Sequence, residues 1–192
     1  MTDSVASTRE FEGLQIPAPG TYVLDAAHKR VGFVARHLMV SKVRGNFGEA
    51  TATITIGEDP LQSSVTASIV ASSISTGQPD RDNHLKSGDF FESEKYPTLE
   101  YRSTGMKSHK GNEFVLNGEL TIKGITKPVE LVVEFEGAGR SPYGQDVFGF
   151  SATTEIERED WDLTWNVALE GGGVMVGKKV KIEIEGEGIR QA

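Results

Sequence analysis

The chain of 192 residues contains no cysteine. Disulfide staples, thiolate nucleophiles and cysteine-held zinc or iron–sulfur sites are therefore excluded, while both oxidising and reducing compartments stay open. Long apolar runs are also missing, and none approaches the roughly 20 residues that a membrane-crossing helix needs. The opening Met1-Thr-Asp-Ser-Val-Ala-Ser-Thr-Arg-Glu10 is polar and lacks the apolar centre of a secretory signal. These absences set the expectation of a cytoplasmic protein with no integral membrane segment. Positive charge is scarce, with 20 Lys and Arg against 28 Asp and Glu and a net charge of −8. That balance argues against a nucleic-acid partner, because phosphate backbones are met by basic patches.

Motifs for chemistry are few. Of the four histidines, His28, His37, His84 and His109, none is spaced as His-x-His or His-x-x-x-His, so no local metal signature is present. No Gly-x-Ser-x-Gly elbow occurs. Gly171-Gly-Gly173 is followed by Val174-Met-Val rather than Gly-Lys-Ser/Thr, so it reads as a flexible link into the last strand and not a phosphate loop. Nothing here calls for a cofactor, a metal or a catalytic residue.

What is present is alternation at period two, the mark of strands with one apolar face. Val65, Ala67, Ile69 and Ala71 form one such row, and Phe114, Leu116, Leu120 and Ile122 another, with Gly118 in register. Val129, Leu131, Val133 and Phe135 form a third. Phe148, Phe150, Ala152, Thr154 and Ile156 make the next, and Val180, Ile182 and Ile184 the last. Tyr22–Asp25, Val31–Arg36, Asn46–Ile56 and Thr98–Thr104 are further candidate strands. Turns are expected at Gly57-Glu-Asp-Pro60, Lys110-Gly-Asn112, Lys127-Pro128 and Ser141-Pro-Tyr-Gly144. Short connections favour antiparallel neighbours, and eight or nine such strands hide their edges by closing into a barrel.

Two stretches depart from the pattern. Asp80-Arg-Asp-Asn-His-Leu-Lys-Ser-Gly88 reads as one short helix, with Asp80 as its cap and glycine at its end. Arg36-His-Leu-Met-Val-Ser-Lys42 reads as a helical turn at the barrel mouth or a strand continuation. Arg81 and Asp82 fit a network pinning the short helix better than a catalytic pair. Trp161 and Trp165 flank an acidic turn, where either caps a pocket or plugs the barrel end. Alternation alone leaves the interior open to two readings, a solid core or a cavity, because an eight-stranded barrel lies near the boundary between them.

The same residues carry a resemblance to the YceI family of polyisoprenoid-binding, lipocalin-like proteins, from about Gly20 to the C-terminus. Its motifs are Tyr22-Val-Leu-Asp-Ala-Ala-His28, Val31-Gly-Phe-Val-Ala-Arg-His-Leu-Met-Val-Ser-Lys-Val-Arg-Gly-Asn-Phe47 and Ser73-Ile-Ser-Thr-Gly77. They continue with Arg81-Asp-Asn-His-Leu-Lys-Ser-Gly-Asp-Phe-Phe91, Glu94-Lys-Tyr-Pro97, Gly118-Glu-Leu-Thr-Ile-Lys-Gly-Ile-Thr-Lys-Pro-Val129 and Arg158-Glu-Asp-Trp161. Two departures stand out: Lys29 where the family usually has serine, and Trp161-Asp162 where it usually has Phe-Gly.

The resemblance implies an all-β fold, a single eight-stranded antiparallel lipocalin-like β-barrel with one short helix and an apolar tunnel for an isoprenoid or other long-chain lipid. Residues 1–19 would be a leader and 20–192 the barrel domain. Phe33, Phe47, Ile69, Leu120, Leu131, Phe135, Phe148 and Phe150 are the expected lining, with Phe91 and Trp161 nearer an end. Arg36 or His37 is placed at a polar head group such as a quinone oxygen or a phosphate. Leu38, Arg81, His84 and Leu85 are shared family positions that either touch ligand or fix the fold. The expected function is binding, carriage or storage of a prenyl quinone or prenyl phosphate, without catalysis. Two rivals are an enzyme acting on a lipid-linked substrate and a solid barrel whose outer faces bind partners. A homodimer is compatible with all three.

Overall fold

The computed structural model describes residues 7–192; the first six residues of the leader and the side chain of His109 lie outside the described residues. In chain order the strands are β1 (Thr8–Phe11), β2 (Leu14–Pro17), β3 (Gly20–His37), β4 (Ser41–Phe47), β5 (Ala50–Ile56), β6 (Ser64–Val70) and β7 (Ile74–Ser75). After the helix α1 (Pro79–Lys86) come β8 (Thr98–Lys110), β9 (Glu113–Ile122), β10 (Ile125–Arg140), β11 (Asp146–Glu157) and β12 (Val176–Arg190). The barrel runs β12-β11-β10-β9-β8-β6-β5-β3, and β3 returns to pair with β12. Eight antiparallel strands thus close on themselves and leave no edge. β4 and β5 act as one bent arm along β3, broken at Gly48-Glu49, and β4 also pairs with β7.

Several sequence expectations need correction. Tyr22–Asp25 and Val31–Arg36 belong to one strand, β3, whose pairing with β12 shifts at Gly186/Gly188. Asn46–Ile56 is two strands rather than one. Arg36–Lys42 is neither a helical turn nor an unbroken strand, but a hairpin in which His37 pairs with Ser41. The turn assigned to Lys127-Pro128 lies instead at Lys123-Gly124, with φ of 51° and 73°. Pro128 sits inside β10 opposite Glu119. It is tolerated there because β10 pairs with β9 alone until Val132, where β11 joins, so the missing N–H falls on a one-sided stretch. The N-cap of α1 is Gln78, and Pro79 rather than Asp80 opens the helix.

The described part of the leader is packed onto the barrel. Residues 8–17 form a β1–β2 hairpin turning at Glu12-Gly13, with φ of 50° and 83°. Arg9 donates to the main-chain carbonyls of Gly57 and Glu58, which fastens this hairpin to the β5–β6 connection. At the same end, Asp146 accepts from Arg140 at 3.1 Å and Arg190 at 3.5 Å, and Arg190 donates to the Pro19 carbonyl at 3.0 Å. The opposite end carries α1, the turn at Lys123-Gly124 and a short 3-10 segment, Arg158–Trp161.

Buried side chains gather in two clusters. Tyr22, Ile54 and Phe148 pack near the hairpin end, where the Tyr22 and Phe148 rings meet edge to face at 5.2 Å. The larger cluster, including Phe47, Leu99, Tyr101, Leu120, Leu131 and Trp161, lies toward the helix end. Gly188 faces Phe148 directly across β11 and β12, and a Cβ there would overlap the Phe148 ring. Gly188→Val is therefore expected to cost about 1–3 kcal/mol through overpacking, read as a lowered midpoint of thermal unfolding; an unchanged midpoint would contradict this packing.

Candidate functional site

Closing the sheet turns one row of every strand inward, and these rows surround a cavity of about 350 Å³. The rows headed by Val65, Phe114, Val129, Phe148 and Val180 all contribute to its wall. Phe33, Phe47, Ile69, Leu120, Leu131, Phe135 and Phe150 line it as well. Ile16 and Pro17 of the N-terminal hairpin reach it from one end, and Leu85, Phe90 and Phe91 from the other. The cavity thus follows the long axis of the barrel, bounded at each end by a segment outside the eight strands.

The interior stays open because its aromatic rings lie along the wall. Phe33 is paired with Gly45, Phe148 with Gly188 and Phe150 with Gly186. A Cβ at any of these glycines would press into the facing ring, and one at Gly118 would strike Tyr101. Directly opposed residues share a face of the sheet. Each ring therefore occupies the space that a side chain on the neighbouring strand would fill, and does not cross the lumen. Small residues at Ala50, Ala52, Ala67 and Ala152 leave the rest of the wall shallow.

Few polar groups reach this space. Burial pushes the Tyr101 phenol up to about 12, so it stays neutral. Among the described residues Arg158 is the one buried charged side chain, at 3% exposure, and it also lines the cavity. Its Nε donates to the Gly177 carbonyl at 3.0 Å, Nη2 to Val176 at 3.3 Å and Nη1 to Leu163. Burial lowers its pKa from the ordinary value, and the three carbonyl dipoles stabilise its positive charge. The sequence places this residue in a family motif but gives it no site role, because its partners lie 5, 18 and 19 positions away, in the loop after it and at the start of β12.

The other candidate residues lie off the cavity wall. Arg36 is exposed, and His37 is half-buried at the end of β3 opposite Ser41 and Val176. Leu38 stands in the hairpin turn and is 36% exposed. Arg81 donates to the hydroxyl of Thr76 at 2.7 Å and to its carbonyl at 3.2 Å, while Asp82 accepts from the same residue's N–H and hydroxyl. This is a clamp on the start of α1. His84 pairs with Asp89 at 2.8 Å and stacks edge-on against Phe90 and Trp165. Trp161 is buried, and its indole N–H donates to the Leu120 carbonyl at 3.0 Å, so it plugs the barrel end.

Both departures from the family pattern have a local account. Asp162 adopts the left-handed conformation (φ 57°, ψ 26°), which glycine reaches without strain and aspartate tolerates better than most residues. Lys123 holds it, donating to its carbonyl at 3.2 Å. Lys29 donates to the carbonyls of Ala26 and Gly48 at 3.3 and 3.1 Å on the outer surface. Also outside the barrel, Asp25, His28 and Glu187 bring three possible metal-ligand atoms within 4.8 Å. The ring nitrogen of His28 facing that point is already bonded to Asp25 at 2.7 Å. The sequence hid this group because Glu187 is remote from the other two.

Arg158→Met would leave the Leu163 and Gly177 carbonyls without this side-chain donor, while the Val176 carbonyl keeps the Asn166 amide at 2.8 Å. Unmet buried acceptors cost about 1–3 kcal/mol, so a loss of about 3 kcal/mol is expected in denaturant unfolding. A loss below about 0.5 kcal/mol, the range of ordinary surface substitutions, would show that the guanidinium is not a structural clamp.

Comparison with known proteins agrees with the architecture. The model of the YceI-like domain matches residues 22–188. A UPF0312 protein of Staphylococcus aureus (strain N315) is 39% identical over 168 residues, covering 86% of this chain and 95% of its own. Among solved structures, the YCEI protein of Campylobacter jejuni superposes with a TM-score of 0.69 at 27% identity, over 82% of this chain and 90% of that one. BcnA of Burkholderia cenocepacia gives 0.73 at 21% identity, over 85% and 98%. A polyisoprenoid binding domain from Saccharophagus degradans, implicated in plant cell wall breakdown, gives 0.67 at 13% identity, over 91% and 100%. These last two likenesses concern the fold. With the closed barrel, the inward rows and the matched span together, the chain belongs to the family of YceI-like domains.

Proposed function

We propose that the barrel binds one long-chain lipid of the polyisoprenoid type, a prenyl quinone or prenyl phosphate, and carries or stores it. The observation that carries this reading is the apolar cavity that follows the barrel axis from Ile16 to Leu85. A strand of 15 residues such as β12 spans about 50 Å, or about 40 Å of barrel height after tilting. That shape suits an extended chain better than a compact ligand. Association costs of about 10 kcal/mol require about 400 Å² of apolar burial before net binding begins. A long prenyl chain has such a surface and a small apolar molecule does not. Family membership and the fold shared with a polyisoprenoid binding domain support the same class of ligand.

On this reading the aromatic residues over glycine are the ligand's wall, with Phe91 and Leu85 near one terminus of the chain and Phe135 nearer the other. A catalytic role has less support. Among the described residues, the titratable groups at the cavity are Tyr101, kept neutral by burial, and Arg158, whose hydrogen bonds go to main-chain carbonyls. A solid barrel acting only through its outer faces conflicts with the open interior. Nor does any helix among the described residues have the length and apolarity to cross a membrane.

Two substitutions test the reading. Ala67→Phe places a ring in the lumen without adding charge. It is expected to reduce uptake of a geranylgeranyl quinone by the delipidated protein about tenfold, with stability changed by no more than about 1–3 kcal/mol. Phe135→Glu puts a carboxylate on the apolar wall and is expected to abolish uptake. Quantifying extracted lipid per chain checks both, and wild-type uptake in folded Phe135→Glu protein would refute that residue's placement.

A further inference from the structure

At the helix end of the barrel, the β3–β4 hairpin turns through Leu38 and Met39 with φ of 52° and 59°. The Val40 N–H donates to the His37 carbonyl at 3.2 Å. Two successive positive φ values mark the tight hairpin turn that favours Asn-Gly. Leucine and methionine held in this region cost about 1–2 kcal/mol each. Burial does not offset that cost, because Leu38 is 36%, Met39 52% and Val40 83% exposed. Val167, 41% exposed, stands beside them: Leu38 donates its N–H to the Met175 carbonyl, and Met175 donates to that of Val167. Four of the five exposed large hydrophobic side chains among the described residues thus share one place, Tyr143 being the fifth. Local strain that persists without local gain points to a function at that site.

The flanks of this tip are basic in a chain of net charge −8. Arg36 and Lys42 oppose each other directly in the β3–β4 register, and Arg44 follows two residues on, on the same outward face. All three are exposed. Nearby Lys178 and Lys181 are each paired with a carboxylate at 3.0 Å, Glu159 and Glu183. Among the described residues, Arg36, Lys42 and Arg44 have no carboxylate within 4.0 Å. Like charges set opposite each other destabilise a hairpin, so this arrangement also lacks a local reason. Acidic groups of the same end lie on α1 and the segment after it (Asp80, Asp82, Asp89, Glu92 and Glu94), in the 3-10 segment and its cap (Glu159, Asp160 and Asp162) and in the loop that carries Val167 (Glu170). On β12, the Lys181 hydrogen bond and, less strongly, the Arg44 charge help to lower the pKa of Glu183. The basic face is that of β3 and β4.

We infer that the β3–β4 hairpin is a docking surface for an anionic lipid bilayer. Leu38, Met39 and Val40 enter the interfacial region, while Arg36, Lys42 and Arg44 meet the headgroups. Apolar insertion and basic attraction together are the two signals that reversible membrane attachment requires. The acidic remainder of the surface is repelled, which tilts the barrel onto this edge. As a route for loading and unloading, the surface rests on the lipid-carrier reading, since Ala35 and Val176, next to the hairpin, line the cavity.

Flotation of the full chain with vesicles tests it, using phosphatidylcholine alone and phosphatidylcholine mixed with phosphatidylglycerol. The wild type is expected to float with the anionic vesicles and to be released as salt rises. Met39→Ser with Val40→Ser should lose about tenfold in vesicle binding. Lys42→Gln with Arg44→Gln should lose the preference for anionic lipid, also about tenfold. Native mass spectrometry of the same samples separates the two readings. A wild type that carries lipid but ignores both vesicles overturns the docking surface and leaves the carrier reading intact. One that floats but takes up no lipid sinks the carrier reading and keeps the surface. Failure to float together with a dimer dissolved by Met39→Ser and Val40→Ser would assign the tip to a second copy of the chain and overturn the inference.

Discussion

Where Phe33, Phe148 and Phe150 point into the barrel, the residue directly across on the next strand is Gly45, Gly188 or Gly186, and the ring lies over that glycine. Tyr101 uses Gly118 in the same way, one register step along. Much else depends on this arrangement. An eight-stranded barrel is barely wide enough to stay open, and rings of this size crossing the lumen would fill it. Laid against the wall, they keep their buried area and leave a continuous apolar channel.

An open barrel must then be held at both ends without help from a packed centre. At one end the N-terminal hairpin presents Ile16 and Pro17 to the cavity, fastened through Arg9 and the Asp146–Arg190 network. At the other, Arg158 gathers the carbonyls of Leu163, Val176 and Gly177, and Trp161 reaches the Leu120 carbonyl. The hairpin lies before the matched family span of residues 22–188.

Much of this was legible in the sequence because a closed sheet obeys period two. The rows from Val65, Phe114, Val129, Phe148 and Val180 turn inward as their alternation requires. What alternation could not reveal was whether the rows meet. That depends on which glycine faces which ring, and so on the register between strands distant in sequence. The Lys127-Pro128 turn is not where proline suggests, because β10 has only one neighbour at that point and a strand edge tolerates the missing N–H. The first hairpin was missed because its strands have four residues each, too few to show a period. Arg36 and His37 drew attention by their chemistry, yet Arg36 points outward because its neighbours Ala35 and His37 share the inward parity of Phe33.

The claim on which the account rests is that the interior holds a lipid chain, and native mass spectrometry of the purified protein followed by organic extraction addresses it most directly. The account predicts a mass above that of the polypeptide by one long-chain lipid, released by solvent and identified as an isoprenoid. A bare polypeptide mass, unchanged after incubation with prenyl quinones and prenyl phosphates, would contradict it.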